Sequence, residues 1–131
     1  MLIRRFALAS AFSALIALPL LTQAAAPALD DPNTVTTVMQ FSLKAGAKRE
    51  DLEKRMASIR DFIRKQPGYI ENALMENRNG DAKPQFVGVS RWASFKNWED
   101  MWNKPEFQKL IKEVGDVGDI NPGTFSPVKR K

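Results

Sequence analysis

Apolar and semi-polar residues alternate along the segment from Thr34 to Leu43. This period of two, together with many β-branched side chains, is typical of a half-buried β-strand. The odd-numbered positions form the more apolar face, which is Val35, Thr37, Met39, Phe41 and Leu43. We therefore predict a first strand whose odd-numbered face lies on the hydrophobic core.

The apolar spacing changes to three and four residues between positions 47 and 66. One side of this segment carries Leu52, Met56, Ile59 and Ile63. Such a stripe is typical of an amphipathic helix, and acidic residues near its start and basic residues near its end suit the helix dipole. Pro67 and Gly68 are a stop signal, so the predicted helix ends before residue 67.

Two further strands are predicted, at 69–76 and 85–92. In the first of them, alternation places Ile70, Asn72 and Leu74 on one face and Tyr69, Ala73 and Met75 on the other. The intervening Asn79-Gly80 is a strong turn signal. The two strands should therefore pair as an antiparallel hairpin.

Short helices are predicted at 95–102 and 106–114, then a loop at 116–123 and a last strand at 124–128. Ser94 can cap the first helix, and Pro105 suits the first turn of the second. The order βαββαβ is that of the ferredoxin-like α+β fold, a four-stranded antiparallel sheet with helices on one face. A second copy can cover the bare face, so we expect a homodimer.

The first 24 residues have the three parts of a secretory signal peptide. Arg4 and Arg5 precede an uncharged apolar run from Phe6 to Leu21, and small residues follow. The run is shorter than the ~20 residues that span a bilayer, so cleavage is favoured over a retained anchor. The preferred cut follows Ala24, with cuts two or four residues later as alternatives. We expect a periplasmic or secreted protein without stable membrane association after cleavage.

The mature chain is then predicted to have a flexible leader at 25–33, one domain at 34–128 and a basic tail at 129–131. Losing Arg4 and Arg5 reduces the 20 basic residues to 18 against 15 acidic ones, a net charge of +3. So small a surplus does not indicate nucleic-acid binding.

The chain contains neither histidine nor cysteine. This excludes Ser-His-Asp and Cys-His nucleophiles, histidine metal sites and a histidine ligand to haem iron. The glycines form no phosphate-binding loop, and the carboxylates form no obvious metal cluster. The sequence therefore predicts no cofactor and no metal, and any chemistry must use the remaining polar side chains and tryptophan.

Three segments resemble the antibiotic biosynthesis monooxygenase domain, within residues 34–114. They are Gln66-Pro67-Gly68-Tyr69-Ile70, the stretch from Arg91 to Trp98, and Lys104-Pro105-Glu106-Phe107. The strand-end Trp, then Ser, then Trp, then Pro-x-Phe before an apolar helix is the more specific part. The resemblance implies a dimeric α+β barrel of ferredoxin-like subunits, each with a ligand cavity between its sheet and its helices.

Members of that family differ in their chemistry. Some are cofactor-free monooxygenases of quinols or polyketide phenols, and others degrade haem. The haem-degrading branch uses a histidine on its last helix and an asparagine on its first strand. The matching positions here hold Ile111 and Met39, which argues against haem oxygenation.

Asn72 and Trp92 are the predicted catalytic residues. The resemblance places Trp92 in the cavity wall, where it would stack on an aromatic ligand; the alternative is a core Trp that closes the strand–helix corner. Asn72, Arg91, Tyr69 and Gln40 are of the types that stabilise an oxyanion. Asn72 stands out because it lies among apolar residues and needs a partner there, which a neighbouring loop could also supply. Arg91 should point away from Trp92 along the strand.

Five residues are predicted to contact a ligand, namely Met39, Phe41, Tyr69, Trp98 and Trp102. Trp98 and Trp102 share one helix face with Phe95, which indicates either core packing or one wall of an aromatic pocket. Two functions fit these features. One is an exported homodimer that oxidises a phenol or quinol with oxygen alone. The other is a non-catalytic module of the same fold that binds an aromatic small molecule or a protein partner.

Overall fold

The computed structural model describes residues 25–129, so the predicted signal peptide and the last two residues of the predicted tail lie outside it. Its elements are β1 (Val35–Leu43), α1 (Arg49–Ile63), β2 (Tyr69–Glu76), β3 (Phe86–Trp92), α2 (Phe95–Trp102), α3 (Pro105–Gly115) and β4 (Gly118–Phe125). The ferredoxin-like α+β class is confirmed. No helix among the described residues is long and apolar enough to cross a membrane.

The four strands form one antiparallel sheet in the order β2-β3-β1-β4. The odd-numbered face of β1 is the buried one, as predicted, and carries Val35, Thr37 and Phe41 into the core. On the other side of this core lies the apolar stripe of α1, in which Leu52, Met56, Ile59 and Ile63 are all buried. The helices therefore cover one face of the sheet, which we call the helix-facing side.

Gly68 joins α1 to β2 in a conformation that requires glycine. Its φ of +78° lies in the left-handed region, which is unfavourable for residues with a Cβ. A Cβ at this position would also lie 2.2 Å from Cγ of Asn97. Asn97 is held near the start of α2 because its backbone N–H donates to the side chain of Ser94, which is the predicted helix cap.

The prediction for the last strand was wrong, because β4 spans Gly118–Phe125 and not residues 124–128. Its Asn, Pro and Gly residues are poor strand formers by themselves. The segment is nevertheless extended because it pairs with β1 over eight positions, from Leu43 opposite Gly118 to Thr36 opposite Phe125. Pro122 is tolerated because β4 is an edge strand.

The prediction for the two faces of β2 was wrong at the start of the strand, because the pairing with β3 shifts between Tyr69 and Glu71. This β-bulge leaves Ile70 as the extra residue and changes the alternation. From Asn72 to Met75 the residues alternate between the two faces as predicted. Tyr69 pairs with Trp92 and Asn72 pairs with Ser90, so Tyr69 and Asn72 both lie on the helix-facing side.

The opposite face of the sheet includes Val38, Val87 and Val89, none of which belongs to the core cluster. At one end of this face, Arg91 is buried and points away from Trp92, as predicted. Its guanidinium donates to the Glu71 carboxylate at 2.5 Å and to the carbonyls of Pro27 and Ala28 at 2.8 and 2.9 Å. Arg91 therefore holds the start of the described chain against the sheet.

Candidate functional site

A half-open cavity lies between α1 and the helix-facing side of the sheet. Its enclosed space is about 40 Å³, and the groove including its open mouth spans about 390 Å³. The lining is mostly apolar and consists of Met39, Phe41, Met56, Ile59, Arg60, Ile63, Asn72, Leu74, Gly88 and Ser90, together with Ala73 and Val89, whose side chains alternate to the opposite face of the sheet. One helix and three neighbouring strands thus build the walls.

Gly88 on β3 leaves the floor of the cavity open. A Cβ added there would lie 3.4 Å from Cε2 of Phe41 and 4.0 Å from Cδ1 of Leu74. Both distances are ordinary van der Waals contacts, so the space above Gly88 is the space that a side chain would occupy. The absence of that side chain therefore helps to create the cavity.

Asn72 lies in the cavity wall with its amide oriented by Tyr69. The Tyr69 hydroxyl donates to Oδ1 of Asn72 at 2.8 Å, a contact that depends on the bulge because the bulge brings both side chains to one face. No described residue accepts a hydrogen bond from Nδ2 of Asn72. The two N–H groups of this amide are therefore available to a ligand.

Arg60 is the functional candidate that the sequence reasoning missed. It follows Met56 by four residues, so it lies on the cavity side of α1, and it is half-buried in the cavity lining. Its Nε is buried without an acceptor, and no carboxylate among the described residues lies within 4 Å of its guanidinium. The available signal was a charged residue beside the apolar stripe of a helix.

Trp92 lies directly behind the cavity lining. It is fully buried, and its Nε1 donates to Oγ of Ser90 at 3.2 Å. The same Oγ lies 2.6 Å from Oγ1 of Thr37, while the Trp92 ring packs edge-on against Tyr69 with centroids 6.0 Å apart. Trp92 thus contacts two residues of the site without entering the lining itself.

The donors of the site come from different walls, with Arg60 on α1, Asn72 on β2 and the Ser90 hydroxyl on β3. The lining contains no carboxylate and no other side chain that commonly acts as a base. Such an arrangement can stabilise negative charge on a ligand oxygen. The described residues also contain no cluster of three side chains suited to a metal ion.

No family model and no curated protein matches the chain, whereas solved structures do. SnoaB, a cofactor-independent oxygenase from Streptomyces nogalater, is 19% identical over 75% of this chain and 96% of its own, with a TM-score of 0.65. A monooxygenase candidate from Shewanella loihica PV-4 is 24% identical over 75% of this chain and 97% of its own, with a TM-score of 0.60.

A third match is a dimeric protein with a ferredoxin-like fold from Bacteroides fragilis. It is 14% identical over 71% of this chain and 95% of its own, with a TM-score of 0.57. At these identities the likeness shows the fold. The chain shares its fold with these proteins. This agrees with the fold that the resemblance to the antibiotic biosynthesis monooxygenase domain implied.

The structure brings some of the predicted site residues together and leaves others apart. Met39, Phe41 and Asn72 line the cavity, and Tyr69 is one hydrogen bond away. Trp98 and Trp102 lie outside the lining, where they stack on each other at 5.5 Å, and Trp102 packs on Phe107 of α3 at 5.4 Å.

Gln40 and Arg91 face the opposite side of the sheet. Gln40 is exposed and lines a second half-open pocket of about 150 Å³ formed with β4, and Arg91 is occupied by Glu71 and two backbone carbonyls. Neither side chain reaches the cavity. Of the four predicted oxyanion donors, Asn72 is therefore the one that lines the cavity, beside Arg60 and Ser90.

Proposed function

We propose that the cavity below α1 binds a phenol or quinol and that the protein oxidises it with molecular oxygen, without a cofactor. The observation that carries this proposal is an apolar cavity whose polar groups are donors, Arg60 and Asn72, with no carboxylate beside them. The fold shared with SnoaB, which is described as a cofactor-independent oxygenase, supports the proposal.

In this mechanism, the ring lies in the apolar part of the cavity and its oxygen faces Nδ2 of Asn72. Amide N–H groups placed there stabilise the ionised ring oxygen, and Tyr69 keeps the amide oriented. The proton of the ring oxygen passes to water. The ionised ring carries part of its charge on carbon, which bonds to molecular oxygen and forms a hydroperoxide after it takes up a proton. The carbon that carries the hydroperoxide also carries a hydrogen atom, so water can be lost and a carbonyl is left. One atom of molecular oxygen thus enters the product, and the other leaves as water.

The enclosed space must widen before an aromatic ring can bind. Its volume of about 40 Å³ is well below the ~150 Å³ of an apolar cavity that holds benzene. Met39 and Met56 line the space, and methionine side chains adapt readily because they are unbranched. We expect the ring to enter beside Leu74, which is 41% exposed, and to displace these two side chains.

Oxygen uptake by the purified protein with a panel of quinols and acidic phenols tests the catalytic proposal. We expect uptake above the protein-free rate and a loss of at least about tenfold in Asn72→Ala, because one oxyanion donor contributes that much or more. Asn79→Ala, in the exposed hairpin turn, is the matched control and should retain the wild-type rate. Uptake at the protein-free rate across the whole panel would exclude the oxygenase.

The second candidate function is a non-catalytic module that binds an aromatic ligand. The observation that favours it is the absence of a general base in the cavity lining. Trp92 is hydrogen-bonded to Ser90 of that lining, so filling the cavity should change its fluorescence. Fluorescence change without oxygen uptake favours this second function, and a response to no small molecule points to a protein partner.

We also propose that the protein is an exported homodimer. The three-part pattern of residues 1–24 supports export to the periplasm or the medium, and mass spectrometry of the N-terminus from that fraction tests it. The valines on the opposite face of the sheet, Val38, Val87 and Val89, support pairing of two copies through that face. The Bacteroides fragilis neighbour is described as dimeric, which is consistent with this arrangement.

A further inference from the structure

Arg60 has a different environment from the other arginines along α1. Arg49 binds Glu53 and Glu76, and Arg55 binds Asp116 and the carbonyl of Glu113. Arg60 has no ion pair within the described residues, and it is the arginine of the three that lines the cavity. Its positive charge therefore lies beside an apolar space without a protein counter-charge.

The buried Nε of Arg60 is the most specific feature of this environment. A buried N–H without an acceptor is unfavourable, and Arg91 provides the comparison because its Nε also lacks one. The guanidinium of Arg91 is nevertheless bound to Glu71 and to the carbonyls of Pro27 and Ala28. Among the described residues, only Arg60 has both a charge without an ion pair and a buried N–H without an acceptor. Both groups can therefore bind a ligand.

We infer that the ligand of this cavity is an aromatic anion, a hydroxylated ring with an acidic oxygen that binds the guanidinium of Arg60. This inference rests on the proposed cavity function and narrows its substrate class. The acidic group lies against the α1 wall, and the ring lies over Gly88 between Phe41 and Leu74. A second oxygen on the ring then faces the free amide of Asn72 on the β2 wall.

The donors at both ends select against neutral rings of the same shape. A guanidinium–carboxylate contact is charge-assisted and stronger than a contact to a neutral oxygen. The apolar lining on one side of the guanidinium lowers the local dielectric constant, which strengthens the contact further. A neutral ester of the same ring would leave Arg60 without a counter-charge, and we expect it to bind more weakly.

The test is isothermal titration calorimetry with 2,5-dihydroxybenzoate and its methyl ester, which differ in charge and share the quinol ring. We expect the acid to bind the wild-type protein at least about tenfold more tightly than the ester, because a hydrogen bond to a charged group contributes that much. Arg60→Gln should remove this preference. Arg64→Gln, an exposed arginine at the end of the same helix, is the matched control and should keep it.

Circular dichroism melting of each variant verifies that it is folded. A second ligand, 4-nitrophenol, ionises near neutral pH without a carboxylate. Tighter binding of its ionised form that is lost in Arg60→Gln assigns the anion site to phenolates as well as to carboxylates.

Equal affinity for acid and ester, or a preference unchanged in Arg60→Gln, overturns the inference. Oxygen uptake with neutral quinols would then still support the proposed function. Conversely, a preference for the acid that depends on Arg60 but is not accompanied by oxygen uptake supports the anion site and excludes the proposed oxygenase activity. Failure of both ligands to bind the folded protein rejects the anion site and the cavity together.

Discussion

At the scale of single residues, the space available to a ligand depends on Gly88. A Cβ at this position would make ordinary contacts with Phe41 and Leu74, so a larger side chain fits only by filling the cavity. The backbone of Gly88 does not require glycine, since its φ is not in the left-handed region. A substitution at Gly88 can therefore block ligand binding while the protein still folds.

We expect Gly88→Val to weaken binding of 2,5-dihydroxybenzoate at least about tenfold in calorimetry. Valine suits a strand better than glycine, and the gain of about 1 kcal/mol offsets part of any crowding against Phe41. The free energy of unfolding in urea should therefore change by no more than about 1–2 kcal/mol. Gly80→Val, in the open hairpin turn where a Cβ meets nothing within 4 Å, should leave the affinity unchanged. Wild-type affinity in Gly88→Val would place the ligand elsewhere.

The sequence identified Asn72 and missed Arg60 for related reasons. A polar residue predicted on the apolar face of a strand needs a partner, so Asn72 attracted attention, and the structure places it on that face together with Leu74. An arginine beside the apolar stripe of a helix is ordinarily read as a side chain that extends to solvent. Whether Arg60 has a counter-charge depends on residues that are distant in the sequence. The apolar periodicity of the helix contains no information about those residues.

At the scale of elements, α2 is joined to α3 by stacked aromatic side chains. Trp102 packs on Trp98 and on Phe107, and Phe107 continues to Phe62 of α1. These rings lie outside the cavity lining. Their position favours a role in joining the helices, and the predicted contact of Trp98 and Trp102 with a ligand stays a prediction.

Trp102→Ala distinguishes the two roles. We expect the free energy of unfolding in urea to fall by about 2–4 kcal/mol, because a large, half-buried aromatic contact is lost. The affinity for 2,5-dihydroxybenzoate should remain within about twofold of wild type, as in Phe95→Ala, whose ring is 52% exposed. Lost affinity at unchanged stability would instead assign Trp102 to the ligand site.

The elements that the sequence predicted well are those with a long local pattern. β1 and α1 carry their own periodicity, and the structure buries the predicted face of each. The bulge in β2 and the extent of β4 depend on pairing with β3 and β1, which are distant in sequence. Local alternation contains no information about such a partner, and therefore both elements were predicted wrongly in detail.

At the scale of the whole molecule, the face of the sheet opposite the helices determines the proposed assembly. Val87 lies on this face, between Gln40 of β1 and Met75 of β2, which is 49% exposed. We expect Val87→Asp to convert dimers to monomers in size-exclusion chromatography with light scattering, because a buried carboxylate without a partner is unfavourable. Ser58→Asp, on the exposed side of α1, should remain dimeric. A monomeric wild-type protein at micromolar concentration would contradict the assembly.

The contact between Arg91 and the carbonyls of Pro27 and Ala28 also has a consequence for the order of events during synthesis. Arg91 is separated from Pro27 and Ala28 by 64 and 63 residues, so these hydrogen bonds form only after β3 has been synthesised and paired. The N-terminal segment leaves the ribosome first and remains unbound during that time. A peptidase that made the proposed cut after Ala24 would therefore meet an open substrate on the nascent chain, and folding afterwards would withdraw the new end from it.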